Sequence, residues 1–154
     1  MPVREMTESD LKQVLEIQRE LAFQDWNEAQ FKAEIKASYA LCVVYESSET
    51  TCPEAGTAEG NIIGYAVFHL LGEDSELLSI ATKATEQRKG TGTALLMAGT
   101  GKLDFGNGDR MFLEVREGNE KARRFYERHG FEPFGNRKNY YADGETAILY
   151  RKTT

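Results

Sequence analysis

One short stretch, Gln87-Arg88-Lys89-Gly90-Thr91-Gly92, restricts the folds open to this chain more than any other. On its N-terminal side Leu77 to Thr82 has strand character, and on its C-terminal side Ala94, Leu95, Leu96, Ala98 and Leu103 read as a helix. A strand, a two-glycine loop and a helix in that order make a place where backbone N–H groups converge on an anion. The first turn of a helix holds N–H groups without internal partners, and the helix dipole favours negative charge there. Gly90 and Gly92 put no Cβ between that backbone and a pyrophosphate. Arg88 and Lys89 add positive charge, Arg88 as a bidentate fork. Taken alone, the stretch reads more readily as an ordinary glycine turn with solvated basic residues. It is neither a Walker A loop, lacking the closing Gly-Lys-Ser/Thr, nor a Gly-x-Gly-x-x-Gly dinucleotide fingerprint.

The flanking sequence alternates strand and helix signals. Val3 to Met6 reads as a strand, and Thr7 with Asp10 as a capping pair before a helix carrying Leu11, Val14, Leu15, Gln18 and Leu21. Asn27 with Gln30 caps a second helix bearing Phe31 and Ile35, and Tyr39 to Glu46 is a strand. Ser47 to Gly60 is polar, small and turn-forming, which predicts a mobile hairpin loop. Ile62 to Leu71 and Leu77 to Thr82 are strands around a turn at Gly72 to Ser75. The helix after Gly90 is weakened at its far end by Gly99 and Gly101, each costing about 1 kcal/mol relative to Ala. Beyond the Asn107-Gly108 turn come a strand at Met111 to Val115 and a helix at Glu120 to His129, closed by Gly130. Phe131 to Phe134 and Ala147 to Arg151 complete the strands, with Asp143-Gly144 as a turn between Tyr141 and Ile148. This mixture predicts an α/β or α+β domain with a mixed sheet.

With 154 residues, 40% of them hydrophobic, the expectation is one domain spanning residues 1–154. No run of eighteen apolar residues occurs, and the first ten residues carry no basic segment followed by an apolar one. The chain is therefore expected to be soluble and cytoplasmic, with neither a membrane span nor a signal peptide. Cys42 and Cys52 have no Cys or His at ligand spacing, so two reduced thiols and no metal are expected. A formal net charge of -6 argues against non-specific nucleic-acid binding; it suits solubility, or a basic protein substrate. His69 and His129 have no partner at interpretable spacing and are given no role.

The order of segments sharpens the reading. Leu78 to Thr82, Gln87 to Gly92, Leu113-Glu114-Val115-Arg116, then Asn119, Ala122, Phe125-Tyr126-Glu127 and Gly130-Phe131 resemble the GCN5-related N-acetyltransferase superfamily over roughly the C-terminal half. Asp25-Trp26-Asn27, Leu113 to Arg116 and Arg137-Lys138-Asn139-Tyr140-Tyr141 resemble, within it, the RimI group, which acetylates the amino-terminal alanine of a small-subunit ribosomal protein. Ser47 to Gly60 is unmatched. Two departures stand out: the proline often seen before the phosphate loop is absent from Thr82 to Glu86, and Asp25 replaces the proline usual before the tryptophan. The resemblance implies a mixed sheet of about six to seven strands flanked by about four helices, with acetyl coenzyme A as cosubstrate and no metal. It also implies a protein amino-terminal peptide as acceptor, and neither nucleic acid nor membrane as a direct partner.

Acetyl transfer from a thioester needs a neutral amine, a polarised carbonyl and a proton for the departing thiolate. Glu114 stands in the otherwise apolar run Met111 to Val115, where partial desolvation would raise its pKa toward that of a base. A wet strand face beside Arg116 explains the residue equally well, and the resemblance implies the base role. It likewise implies Tyr126 as general acid, although an aromatic packed with Phe125 and Phe131 fits the same pattern. The resemblance assigns coenzyme contacts to Ile80, Ala81, Thr82, Gln87, Arg88, Lys89, Gly90, Thr91, Gly92, Thr93 and Asn119; for Asn119 a helix N-cap is the alternative. Tyr140 and Tyr141 would hold the peptide, only one of them facing the cleft if both lie in a strand. Trp26 would form an opposite wall or serve as a packing anchor.

Overall fold

The alternating signals become seven strands and four helices in a computed structural model, which describes residues 2–21, 26–47, 60–87 and 90–154. The strands are β1 (Val3–Glu5), β2 (Ala40–Ser47), β3 (Asn61–His69), β4 (Ser75–Thr82), β5 (Met111–Arg116), β6 (Glu132–Arg137) and β7 (Ala147–Lys152). The helices are α1 (Leu11–Leu21), α2 (Glu28–Lys36), α3 (Thr91–Thr100) and α4 (Glu120–Arg128). The strand order is β1-β2-β3-β4-β5-β7-β6. The mixed α/β class follows from one parallel pairing, β4 with β5, among antiparallel ones. The chain forms two compact units, Met1–Leu70 with Leu78–Lys102, and Leu71–Leu77 with Leu103–Thr154.

In the first unit β2 pairs antiparallel with both β1 and β3. β3 is buried from Ile62 through Phe68. The reason is that both its faces are covered: the Tyr65 ring meets Phe31 of α2 edge-on at 5.8 Å, and Phe68, three residues on, lies beneath α3 at Gly99. A strand covered on both faces loses the period-2 pattern, which is why this run reads as continuously apolar. α1 buries Leu11, Val14 and Ile17 along one stripe, each worth about 1.5–3 kcal/mol of apolar burial. Asn27 caps α2 reciprocally: its Oδ1 accepts from the Gln30 N–H at 2.8 Å, and Gln30 Oε1 accepts from the Asn27 N–H at 2.8 Å. Asp10 closes a 3-10 turn ahead of α1, accepting from the Thr7 N–H and from both ends of the Arg4 guanidinium. Burial alone would raise the Asp10 carboxyl; those hydrogen bonds outweigh it and hold the group below its ordinary range.

Helix α3 ends at Thr100, short of Leu103, with Gly101 as its C-cap. Gly99 is no defect in it. A Cβ there would run into the Phe68 ring, so the glycine is what lets α3 approach β3. Gly99→Ala therefore gains about 1 kcal/mol of helix propensity and loses about 1–3 kcal/mol to overpacking. The expected result is a lower urea midpoint with an unchanged m-value; a raised midpoint would mean that Phe68 yields freely.

In the second unit β5 pairs antiparallel with β7 along its whole length, from Met111↔Lys152 to Arg116↔Ala147, and β6 pairs with the far side of β7. Its parallel ladder with β4 has only two pairs, Ser75↔Met111 and Glu76↔Phe112. β5 alternates: Met111, Leu113 and Val115 are buried, while Phe112, Glu114 and Arg116 are partly exposed. Leu113 stands opposite Tyr150, whose ring lies 6.4 Å from Tyr126 of α4 and whose hydroxyl donates to Glu127 and accepts from Arg123. The buried face of β5 is thus the α4 face, and Glu114 looks the other way. Gly130, at φ 87, ends α4 in the left-handed conformation that glycine adopts without strain. β6 runs to Arg137, three residues beyond the strand expected from sequence. Residues 48–59, which hold Cys52 and most of the expected hairpin loop, lie outside the described residues.

Candidate active site

Two places carry the chemistry that the sequence points to, one in each unit. The first is the N-terminus of α3. Gly90 is its N-cap at φ 81, a left-handed conformation that a side chain would strain, and the space a Cβ would enter is open to 4 Å. Thr91, Gly92 and Thr93 form the first turn, whose N–H groups have no acceptor within the helix. Gln87 Nε2 donates to the Thr82 carbonyl at 3.3 Å and closes the loop at its strand end. Arg88 and Lys89 lie outside the described residues. Along β4, Ala81 is buried with the core of the first unit, while Ile80 and Thr82 alternate to the other face. With its side chain in the core, Ala81 would meet a coenzyme through its backbone. An anion fits this helix start: its donors point outward, its backbone is open at Gly90, and no carboxylate lies in the first turn.

The second place is a pocket of about 190 Å³ on the outward face of β5, lined by Glu76, Phe112, Glu114, Phe134, Arg137 and Leu149 among others. Strand alternation carries Glu114 there, with a side chain 24% exposed, as one of the two readings of the sequence required. The surroundings are not the apolar strand environment expected from its neighbours. Glu114 Oε1 lies 3.4 Å from Arg137 Nη1, and Tyr140 hydrogen-bonds to the same carboxylate. That bond is the main reason the Tyr140 phenol is raised above its ordinary value. Phe112 and Phe134 meet edge-on at 5.8 Å and form the apolar side of the pocket.

Tyr140 and Tyr141 are not in a strand. They occupy the turn between β6 and β7, after Asn139 at φ 54, so the alternation argument does not apply to them. Their rings pack edge-on at 5.1 Å. The Arg116 guanidinium covers Tyr141 at 4.0 Å and ion-pairs with Asp143 at 2.9 Å and Glu145 at 3.0 Å, tying the turn to β5. Both tyrosines are thereby held on the Glu114 side.

Tyr126 is buried on the opposite face, its ring among Phe125, Phe131 and Tyr150. Burial pushes its phenol well above the usual range, so the hydroxyl keeps its proton. The structure thus brings Glu114 together with Tyr140, and sets Tyr126 across the sheet from them. Asn119 caps α4, its Oδ1 accepting from the Ala122 N–H at 3.2 Å. Trp26 packs on Phe31 at 5.1 Å in the first unit, its backbone gripped at both polar groups by Gln18. Sequence reasoning passed over Glu76 and Arg137 as pocket residues. Glu76 is the sole charge in Ser75–Thr82 and faces away from the buried Ser75, Leu77, Ser79 and Ala81, a signal the alternation already carried. Among the described residues no cluster of potential metal ligands occurs, and no helix is long and apolar enough to cross a membrane.

A sequence profile of the acetyltransferase (GNAT) family matches residues 11–131. The chain is 29% identical over 154 residues to the N-alpha-acetyltransferase RimI of Mycobacterium tuberculosis, covering 96% of this chain and 89% of that protein. The crystal structure of the ribosomal-protein-S18-alanine N-acetyltransferase from Escherichia coli superposes with a TM-score of 0.77 at 26% identity, over 97% of this chain and 91% of that one. Arabidopsis thaliana NAA60 in complex with acetyl-CoA shares the fold, with a TM-score of 0.83 at 14% identity, over 97% of this chain and 96% of that one. The glycine-bearing helix start after β4, the β5 carboxylate and the α4 tyrosine occur here in a chain that matches this family over most of its length; the chain belongs to the acetyltransferase (GNAT) family and is an N-acetyltransferase.

Proposed function

We propose that this enzyme moves the acetyl group of acetyl coenzyme A onto the α-amine of a protein amino terminus, the acceptor being the amino-terminal alanine of a small-subunit ribosomal protein in the cytoplasm. The observation that carries the reading is Glu114, a half-buried carboxylate held by Arg137 and Tyr140 at the wall of an open pocket. The names of the relatives at 26–29% identity support the class of acceptor.

Amine chemistry favours the same acceptor. At pH 7 roughly a tenth of α-amines are uncharged, against a few in ten thousand lysines, so an α-amine asks far less of a base. Acetyl coenzyme A supplies an activated acyl thioester. The N–H groups at Gly90 to Thr93 would hold its pyrophosphate, with Ile80, Thr82 and Gln87 in the same unit beside them. Glu114 takes the proton that the amine must lose. Tyr126, kept protonated by burial on the α4 face, would be the proton source for a sulfur that departs on the side of β5 away from Glu114. Tyr140 and Tyr141 hold the peptide on the Glu114 side.

The test is mass spectrometry of two peptides incubated with enzyme and acetyl coenzyme A, one with a free amino-terminal alanine, the other with a blocked terminus and an internal lysine. Acetylation of the first alone is the expected result. Acetylation of the second would make this a lysine acetyltransferase, and modification of neither would direct the search to small amines.

A further inference from the structure

The pocket that holds Glu114 has an apolar half, and β6 supplies part of it by an irregular route. Pro133 pairs with Tyr150 and Gly135 with Leu149, so Phe134 between them is an extra residue without a partner in the ladder, a β-bulge. Its ring meets Phe112 edge-on at 5.8 Å, and the Arg151 guanidinium lies 5.0 Å from its centroid. The ring is thus held at the pocket face of the sheet, yet Phe134 remains 43% exposed. Gly135 keeps the place beside it open: a Cβ there would stand 3.7 Å from Leu149 Cδ1, and a longer side chain would project from the face that Leu149 lines. Glu76 borders Phe112 on the β4 side and Phe134 reaches it from the β6 side, which leaves the part between Phe112, Phe134 and Leu149 apolar. Of the large apolar side chains exposed among the described residues, two stand around the base: Phe134 lines its pocket, and Tyr140 bonds to its carboxylate. Exposed apolar surface gathered at one place marks a binding surface more than the same area scattered singly.

We infer that Phe134, with Phe112 and Leu149, receives an apolar side chain of the acceptor, that of its second or third residue, and so selects which amino termini are acetylated. The inference rests on the α-amine function proposed above and names what the enzyme reads beyond the amine. The amine must come to Glu114. Phe112 lies two residues back along β5 on the same face, about 6.8 Å away, and an extended peptide covers that distance in two residues. The second and third side chains are therefore the ones that reach the aromatic wall, and a terminal alanine, one methyl long, leaves it to them. An apolar side chain that exchanges water for Phe112, Phe134 and Leu149 gains free energy with the area it covers, and a serine hydroxyl placed there gains none. The ring is fixed before the acceptor arrives, by Phe112 and Arg151, so little ordering cost offsets that gain.

The experiment measures kcat/KM for alanine peptides that carry leucine or serine at position 2, and leucine or serine at position 3, with wild type, Phe134→Ala, Phe134→Leu and Gly135→Leu. Wild type should favour leucine about 10-fold at one of the two positions. Phe134→Ala should cut that ratio to about 2-fold or less, and Phe134→Leu, which keeps an apolar side chain at the bulge, should retain most of it. Gly135→Leu fills the wall with the enzyme's own side chain and should lower the ratio as well. A loss of activity common to both peptides cancels in the ratio, so a merely structural part for Phe134 would not move it. A wild-type ratio near one at both positions, or a ratio that Phe134→Ala leaves unchanged, would overturn the inference. If Phe134→Ala yields no folded protein, Gly135→Leu decides by the same ratio. Should wild type acetylate no α-amine at all, the proposed function falls by that result, while calorimetric binding of the leucine and serine peptides to wild type and Phe134→Ala still decides whether this wall takes an apolar side chain.

Discussion

Glu114→Gln lowers kcat by about 10²- to 10⁴-fold at pH 7 and leaves the affinity for acetyl coenzyme A unchanged. The substitution keeps an oxygen for Tyr140 to bond and keeps the volume of the side chain, so the turn that carries the tyrosines, pinned by Arg116 to Asp143 and Glu145, stays in place. What it removes is the group that takes the proton. The loss is therefore largest where the acceptor arrives as an ammonium and shrinks as rising pH deprotonates the amine without help, through its pKa of about 8. Tyr126 imposes no alkaline limit in this range, because burial raises its phenol above its ordinary value. Free thiol release measured between pH 6.5 and 9.5, with equilibrium dialysis of acetyl coenzyme A alongside, reads both parts. A variant as fast as wild type at pH 7 would remove the base role; a loss that is constant with pH would point to geometry in place of proton transfer.

Gly90→Asp is expected to raise KM for acetyl coenzyme A about 100-fold while leaving the fold nearly as stable. An aspartate costs about 1–2 kcal/mol in the left-handed conformation at φ 81, and a carboxylate at a helix N-terminus returns about 0.3–1 kcal/mol through the dipole, so stability changes little. The same carboxylate would satisfy the N–H groups of the first turn and repel a phosphate approaching them. Gly90→Ala separates the two effects, since it carries the backbone strain without the charge. It should raise KM far less, and the excess in Gly90→Asp should decline with added salt. Initial rates at varied acetyl coenzyme A, with thermal melts of all three proteins, make the measurement. An unchanged KM in Gly90→Asp would take the phosphate out of this loop.

Much of the local architecture was legible because it depends on neighbours in sequence. The Asn27–Gln30 cap, the left-handed glycines at Gly130 and Gly144, and the alternation of β5 that sends Glu114 outward all need only residues a few positions away. The strand, loop and helix around Gln87 to Gly92 were legible for the same reason, and Asn119 proved to be the cap that its position allowed.

The rest depended on which elements meet. Gly99 read as a weakness of α3 until Phe68 appeared beneath it, and no local pattern tells a glycine that breaks a helix from one that lets a ring come close. For Tyr140 and Tyr141 strand alternation would have put one of the pair away from the cleft; they lie in a turn whose shape is held by Arg116 from another element. That the Ala81 side chain lies in the core was likewise a matter of what packs on β4. The sequence by itself determined the order of elements and the inward or outward sense of each strand residue, since both follow from short-range sterics and period. Only the tertiary structure decided that Glu76, Glu114 and Arg137 line one pocket, that Tyr140 bonds to Glu114 there and that Tyr126 lies across the sheet, because strand pairing joins residues far apart in the chain and charges acquire their meaning only from what is packed beside them.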